Sequence, residues 1–314
     1  ADLLPAARRL RQPVTDANEL RAAFDGITYA KGETVIGMFE RWLGREKFRD
    51  GVRRYMAANA WGNATADDFF AALAANDDAL VPAFRSFVDR PGVPLLDVTL
   101  DCTGKPMLKL AQQRFLPPNA PPDPAPWSFP ACFDYAEGKR VRSTCVLVRE
   151  PRQTVELATS ACPQWVVANR DGVGYYLPRL SSPLYRTLPA AWQVAAPGEI
   201  AGMLNDLGLL ATTGAVGFRD MLPLAAAQAN HPDPRVARQA FALVEAVPDA
   251  MVVGPDRARY AAYVRRTFGD RARLLGWLPA AASRSLPGEG WGRRRSDRSS
   301  ERGYKKGSRR PAPW

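Results

Sequence analysis

Few side chains in the sequence could do chemistry, and Tyr29 is the one with a plausible catalytic role. Tyr29 stands just before Lys31 and Gly32, at the start of a segment with helical spacing. A phenol is neutral at pH 7, so it can donate a hydrogen bond to a developing negative charge without adding charge of its own. The spacing alone also fits a tyrosine packed at a helix start with its hydroxyl in water. From the spacing alone, this structural interpretation is favoured over the catalytic one.

The other polar residues that could take part in catalysis are better interpreted as structural. Glu33 and Glu40 are seven residues apart and share one face of the predicted helix, which could be mistaken for an acid/base pair. With Lys31 and Arg41 beside them, they are expected to be solvated surface charges. His231, the only histidine, lies in a helix connection and is expected to be a solvated turn residue.

Metal and disulfide chemistry depend on this histidine and on four cysteines: Cys102, Cys132, Cys145 and Cys162. No C-x-x-C pair is present, and zinc sites need clustered thiolates or imidazoles. We therefore expect no metal-binding and no cofactor-binding residues in this chain alone. The cysteines are either disulfide-bonded or small buried core residues. A turn at Gly138 and Lys139 would place Cys132 opposite Cys145 in a hairpin, which makes them the best-placed pair.

Composition limits the classes of partner. The chain has 314 residues, of which 46% are hydrophobic, as is normal for a globular protein with a sizeable core. No apolar run reaches the roughly 18 to 20 residues of a membrane span, so no membrane partner is expected. Of the net charge of +11, residues 282–314 carry +7, from 10 Lys/Arg against 3 Asp/Glu. This Gly-, Ser- and Arg-rich stretch is predicted to be a basic disordered tail, giving only salt-sensitive attraction to nucleic acid and no specific binding.

Three zones precede that tail. Residues 1–93 show helical spacing, including an apolar stripe from Val35 to Leu43 that ends at Gly44, and a capping box of Thr65 and Asp68. Residues 94–180 contain about seven short β-rich runs separated by turns, as is typical of an antiparallel β-sandwich. Residues 181–281 return to helical spacing, with amphipathic segments at 197–213, 217–229, 234–246 and 255–268. The predicted fold class is multidomain α+β.

Specific motifs run in order along these zones. They are FDGITYAKGETVIGMFERWLG, FRDGVRRYMAANAWGNATADDFFAAL, VDRPGVPLLDV, WVVANRDGVGYYLPRL, EIAGMLNDLGLLATTG and YVRRTFGDRARLLGWLP. This series resembles the aminopeptidase N-type (gluzincin) zinc metallopeptidase family from about residue 15 to 279. The departures include Phe87 where the family has a tryptophan, Arg90 where it has a glutamine, and Ile200-Ala201 in place of a basic start.

The resemblance implies a fold and a role for Tyr29. It implies the helical end of a thermolysin-like catalytic domain over 1–93, a β-sandwich over 94–180 and a truncated helical-array domain over 181–281. In the family, the hydroxyl corresponding to Tyr29 donates to the oxyanion of the tetrahedral intermediate. The family's H-E-x-x-H zinc motif and Gly-x-Met-x-Asn loop are absent and lie upstream of that tyrosine. The chain is therefore expected to be the C-terminal part of such an enzyme. It is expected to be inactive alone, with zinc and a peptide substrate belonging to the intact enzyme.

Two alternatives remain. The chain could be a non-catalytic binding or scaffold protein that uses the β-sandwich and helical array, although such a protein would not need an oxyanion donor. Nucleic-acid binding through the tail is the other. No targeting segment is recognisable, so the compartment is expected to be periplasmic or secreted if the cysteines pair, and cytoplasmic otherwise. The oligomeric state is left open.

Overall fold

The computed structural model describes residues 2–75, 77–121, 123 and 126–276. The chain divides into two compact units, Ala1–Pro248 and Asp249–Trp314. Ten α-helices and two β-sheets occur in the described part, so the fold is mixed α/β. None of the described helices has both the length and the apolar character that a membrane span requires. The predicted tail, 282–314, and the end of the predicted helical domain from residue 277 lie outside the described residues.

The first unit begins with five helices: α1 (Ala17–Ala23), α2 (Gly32–Leu43), α3 (Arg45–Ala58), α4 (Ala66–Ala74) and α5 (Leu80–Val88). The apolar stripe of α2 is buried at Val35, Met38 and Phe39, as its spacing predicts. Gly44 ends α2 with a φ of 81°, a value that favours glycine. The capping box of Thr65 and Asp68 opens α4 as predicted.

Seven strands follow, within the region 94–180 where the sequence predicts a β-rich domain: β1 (Pro94–Asp101), β2 (Met107–Arg114), β3 (Phe129–Glu137), β4 (Arg140–Val148), β5 (Arg152–Glu156), β6 (Val166–Ala168) and β7 (Leu177–Leu180). They form a four-stranded sheet in the order β5-β2-β1-β7 and a three-stranded sheet in the order β4-β3-β6. Alternate residues of β2, such as Leu108 and Leu110, are buried while Lys109 is exposed. Successive side chains of a strand point to opposite faces of the sheet, so this alternation is expected when one face is buried.

One pairing differs from the antiparallel sandwich expected from the sequence. β1 and β7 run parallel, with Leu95 opposite Leu177 and Val98 opposite Leu180. Parallel neighbours need a long connection, and the whole β-rich region separates these two strands. The local sequence of β7 could not reveal whether it runs parallel or antiparallel to β1, because this depends on the long connection between the two strands.

The hairpin of β3 and β4 confirms the predicted disulfide. Cys132 lies opposite Cys145 in the antiparallel register. Their Cα atoms are 4.1 Å apart and the sulfurs are bonded. A second bridge, Cys102–Cys162, joins the end of β1 to the segment before β6, with Cα atoms 5.6 Å apart. The sequence left this second pairing open.

Four more helices complete the first unit: α6 (Ser182–Ala191), α7 (Pro197–Thr212), α8 (Phe218–Gln228) and α9 (Pro234–Glu245). α7, α8 and α9 match predicted segments, while α6 was not predicted. Its two prolines explain the omission, because Pro183 stands in the first turn and Pro189 inside the helix, where proline is a poor predictor of helix. The second unit contains α10 (Pro255–Leu274), which matches the last predicted segment and extends beyond it.

Candidate functional site

Tyr29 lies in the middle of a π-helical turn, Ile27–Lys31, that leads directly into α2. Ile27 and Lys31, at the two ends of the turn, are buried, whereas Tyr29 is 64% exposed. Its ring lies near that of Phe24, with centroids 6.4 Å apart. Single π-helical turns are uncommon and occur frequently at functional sites. The sequence predicted a helix start here but not its wider winding.

A cluster of Arg8, Asp25 and Thr28, the Asp25 cluster, holds the beginning of this turn. One oxygen of Asp25 accepts hydrogen bonds from the backbone N–H groups of Ile27 (2.9 Å) and Thr28 (3.0 Å). Arg8 donates from Nε to Asp25 at 3.1 Å and from Nη2 to the Thr28 hydroxyl at 2.9 Å. The Arg8 guanidinium lowers the pKa of Asp25, so the carboxylate stays charged at neutral pH. The first N–H groups of the turn are therefore satisfied by a fixed anion.

A second cluster, the Lys31 cluster, holds the end of the turn. It consists of Asp2, Lys31, Tyr175 and the carbonyl groups of Arg90 and Gly92. The Lys31 ammonium lies 3.1 Å from Asp2 Oδ2, and it donates to the carbonyls of Arg90 (3.0 Å) and Gly92 (3.3 Å). Asp2 in turn accepts from the Gly92 N–H and the Tyr175 hydroxyl, both at 2.8 Å. Only 1% of Lys31 is exposed.

Burial determines the protonation behaviour of this second cluster. It lowers the pKa of Lys31, and the charge of Asp2 opposes that effect. Burial also raises the pKa of Tyr175, which therefore remains a neutral donor to Asp2. The sequence pattern made no prediction for the burial of Lys31. Residues from three distant parts of the chain enclose Lys31, and such enclosure cannot be recognised from the local sequence spacing.

An open cavity of about 780 Å³ lies against the outward face of the same turn and of α2. It is lined by Ala30, Glu33, Thr34, Gly37, Glu40, Arg41, Gly44, Arg45 and Val173. Tyr29 directly precedes Ala30 but is not itself a lining residue. Glu33 is exposed and Glu40 half-buried, and both line the cavity, which agrees with their predicted shared face. Arg41 forms an ion pair with Asp171, a partner that the sequence did not reveal.

The turn from Asn169 to Tyr175 brings Val173 and Tyr175 to this region. Asn169 and Asp171 have φ angles of 61° and 59°, which non-glycine residues seldom adopt. The Asn169 side chain compensates by accepting from the Gly174 N–H at 2.7 Å and donating to the Gly174 carbonyl at 3.2 Å. The sequence did not reveal that Tyr175, at the end of this turn, contacts Lys31.

The described residues do not fit a zinc ion. They contain no group of three or more His, Cys, Asp or Glu side chains placed to hold a metal. All four cysteines are in disulfides, so their sulfurs cannot bind zinc as thiolates. Nδ1 of His231 accepts a hydrogen bond from the Asp233 N–H at 3.0 Å. A hydrolytic zinc site needs three protein ligands and an open position, and these residues do not supply them.

Comparison with known proteins finds similarity to aminopeptidases. Residues 1–90 match the model of the Peptidase family M1 domain. Aminopeptidase 2, mitochondrial, of Saccharomyces cerevisiae is 24% identical over 280 residues, covering 88% of this chain and 29% of the relative. Aminopeptidase A of Gloydius brevicauda is 26% identical over 291 residues, covering 87% and 29%. Aminopeptidase N of Lactobacillus delbrueckii subsp. lactis is 24% identical over 283 residues, covering 89% and 33%.

These matches confirm the resemblance that the motifs indicated, at low sequence identity. The chain spans between 29% and 33% of the length of these three relatives. The residues that match this model, 1–90, include the five N-terminal helices and the turn that carries Tyr29.

Proposed function

We propose that this chain, a relative of the family M1 aminopeptidases, forms the part of a zinc aminopeptidase that carries the oxyanion donor Tyr29. In this proposal, the chain removes N-terminal residues from peptides only together with a segment that binds zinc. The chain alone is inactive. Its finer architecture is the one expected from the resemblance: the helical end of a thermolysin-like domain, a β-sandwich and the start of a helical array.

The observation that carries the proposal is the setting of Tyr29. Its side chain is exposed on a turn whose two ends are fixed by the Asp25 cluster and the Lys31 cluster. A donor can stabilise an oxyanion effectively only if its direction is fixed before the reaction, because reorientation during the reaction would cost free energy. A neutral hydroxyl meets this requirement and leaves the charge balance of the site unchanged.

The chemical role follows from the hydrogen bond that Tyr29 can make. When a nucleophile attacks the scissile carbonyl, the carbonyl oxygen becomes negative, and the Tyr29 O–H donates to it. This hydrogen bond strengthens as charge develops, so it lowers the barrier more than it tightens substrate binding. Tyr29 is accordingly proposed as a catalytic residue that acts on the transition state.

The test uses a zinc-complete enzyme, meaning this chain together with a family segment that bears H-E-x-x-H. Tyr29→Phe keeps the ring and removes the donor. We expect kcat to fall by about 10²–10³, or roughly 3–4 kcal/mol, with a similar KM and unchanged thermal unfolding. Steady-state kinetics on an aminoacyl reporter measures this.

The matched control is Tyr55→Phe. Tyr55 lies in α3 of the same family domain, with its ring 5.3 Å from that of Phe69. It should keep normal kinetics. Near-normal kcat in Tyr29→Phe, or activity lost only through unfolding, would return Tyr29 to a packing role. It would also favour the alternative of a non-catalytic scaffold.

We further propose that the protein works in an oxidising compartment, periplasmic or secreted. The two disulfides support this, because such bonds persist outside the reducing cytosol. Protein extracted from its native source in the presence of an alkylating reagent should show no labelled cysteine. Labelling of all four would contradict the proposal.

A further inference from the structure

We propose that Lys31, held by Asp2, is the positioning residue that orients Tyr29 towards the reacting carbonyl. This inference rests on the proposed function of Tyr29 and adds the group that controls its direction. The juxtaposition that carries it is a fully enclosed ammonium group two residues from an exposed phenol on one helical turn.

The hydrogen bonds of Lys31 are complete. An ammonium group has three donors, and its three acceptors here are Asp2 Oδ2, the Arg90 carbonyl and the Gly92 carbonyl. The Tyr175 ring adds a cation–π contact, with the ammonium 5.7 Å from the ring centroid. The partners come from residue positions 2, 90, 92 and 175, so they hold the ammonium from several directions. Lys31 thus has little freedom to rotate or to shift.

Helical geometry links this fixed lysine to the direction of Tyr29. Successive residues of an α-helix are rotated by about 100°, and those of a wider π-helical turn by less. In either geometry, residues two positions apart point to roughly opposite sides. With Lys31 directed into the protein, Tyr29 must point out of it, as its 64% exposure shows. Ile27, buried at the other end of the turn, has the same inward direction as Lys31. The burial of the two end residues therefore sets the rotation of the turn about its axis.

Lys31 itself is not suited to react. Its ammonium is sealed from solvent, and all three of its donors are engaged by groups on the inward side of the turn. A substrate that approaches the exposed Tyr29 would be on the opposite side. The role that remains is to determine where Tyr29 points, and not to exchange a proton.

The first experiment uses the chain as it is, labelled with 3-fluorotyrosine and observed by ¹⁹F NMR. The sequence has nine tyrosines, and the Tyr29 signal is assigned by its loss in Tyr29→Phe. Lys31→Met keeps the length of the side chain and removes its donors. A second variant, Asp2→Asn with Lys31→Met, removes both charges, so that no unpaired buried carboxylate remains to unfold the protein.

In both variants we expect the Tyr29 signal to move towards that of free fluorotyrosine, because its contact with Phe24 is lost. The signals of Tyr260 and Tyr263, in α10, should stay where they are. Lys47→Met is the matched control: Lys47 is an exposed lysine of α3, and its loss should leave the Tyr29 signal unchanged. An unmoved Tyr29 signal in both test variants, or a common shift of all nine signals, would overturn the positioning role.

The second experiment measures kinetics in the zinc-complete enzyme. A misplaced donor can cost about 10²-fold in rate, so both Lys31 variants should lower kcat by up to that factor with a similar KM. Unchanged kcat in a variant whose Tyr29 signal has moved would overturn the inference that this orientation matters for the reaction. Failure of the proposed function looks different, because Tyr29→Phe itself would then retain full kcat while the Lys31 variants still displace the Tyr29 signal.

Discussion

Asparagine in place of Asp206 is expected to stabilise the protein, and increasingly so as the pH rises from 5 to 7. Asp206 lies on α7 and faces a small cavity of about 20 Å³ that Leu180, Tyr185 and Leu207 also line. Burial raises the pKa of Asp206 from its ordinary value of 3.8 to about 7, while a hydrogen bond from the Asn205 side chain opposes the shift. The folded protein therefore holds a proton that the unfolded chain releases near pH 4.

The sign and size of the effect follow from proton linkage. Between pH 3.8 and about 7, the folded state binds one more proton at Asp206 than the unfolded state does, so stability falls as the pH rises. Each pH unit in that range costs about 1.4 kcal/mol, which gives at most about 4 kcal/mol over the whole range. Asp206 keeps part of its surface in contact with solvent, so this figure is an upper limit. Above pH 7 both states are ionised at this position, and the cost becomes constant.

Asp206→Asn removes this titration. Urea unfolding of both proteins at pH 5, 6, 7 and 8 should show the stability difference widening by up to about 3 kcal/mol between pH 5 and 7. It should then level off. Asp78→Asn, which changes an exposed carboxylate before α5, is the control for the loss of one surface charge. A difference between Asp206→Asn and the unmodified protein that is independent of pH would refute the reasoning.

Two further predictions concern metal content and helix packing. The purified chain alone should carry no stoichiometric zinc and cleave no aminoacyl reporter, and about one chelatable zinc per chain with activity would contradict this. Gly51→Ala should destabilise the protein by about 1–3 kcal/mol, because the new Cβ would lie 2.7 Å from a Leu73 methyl group and 3.0 Å from its Cα. Gly37→Ala, in α2 with open space around the new Cβ, should instead stabilise by up to about 1 kcal/mol; equal urea midpoints for the two variants would refute the packing argument.

Local sequence pattern was enough to predict several elements of this fold. The end of α2 at Gly44 and the start of α4 at Thr65 each depend on residues within one helical turn. The Cys132–Cys145 bridge depends only on the hairpin register, which a short turn fixes. Such features can be derived from the sequence, because the residues that determine them are adjacent in it.

What the sequence did not reveal depends on distant contacts. The parallel direction of β7 is set by its pairing with β1, which lies at the opposite end of the β-rich region in the sequence. The enclosure of Lys31 depends on Asp2, Gly92 and Tyr175, none of which belongs to its own helix. A buried lysine and a surface lysine have the same local spacing, so periodicity cannot separate them.

Exposure alone does not distinguish Tyr29 from other aromatic residues on the surface. Trp61 is fully exposed and has a φ of 61°, yet its turn is closed by a backbone hydrogen bond of 3.1 Å from Gly62 to Asn59. The turn of Tyr29 is instead held at both ends by charged side chains, one of which is a lysine almost completely removed from water. Burying such a group is costly unless all its hydrogen bonds are made. A simple surface turn has no need of that arrangement, whereas a donor that must keep one direction during a reaction does.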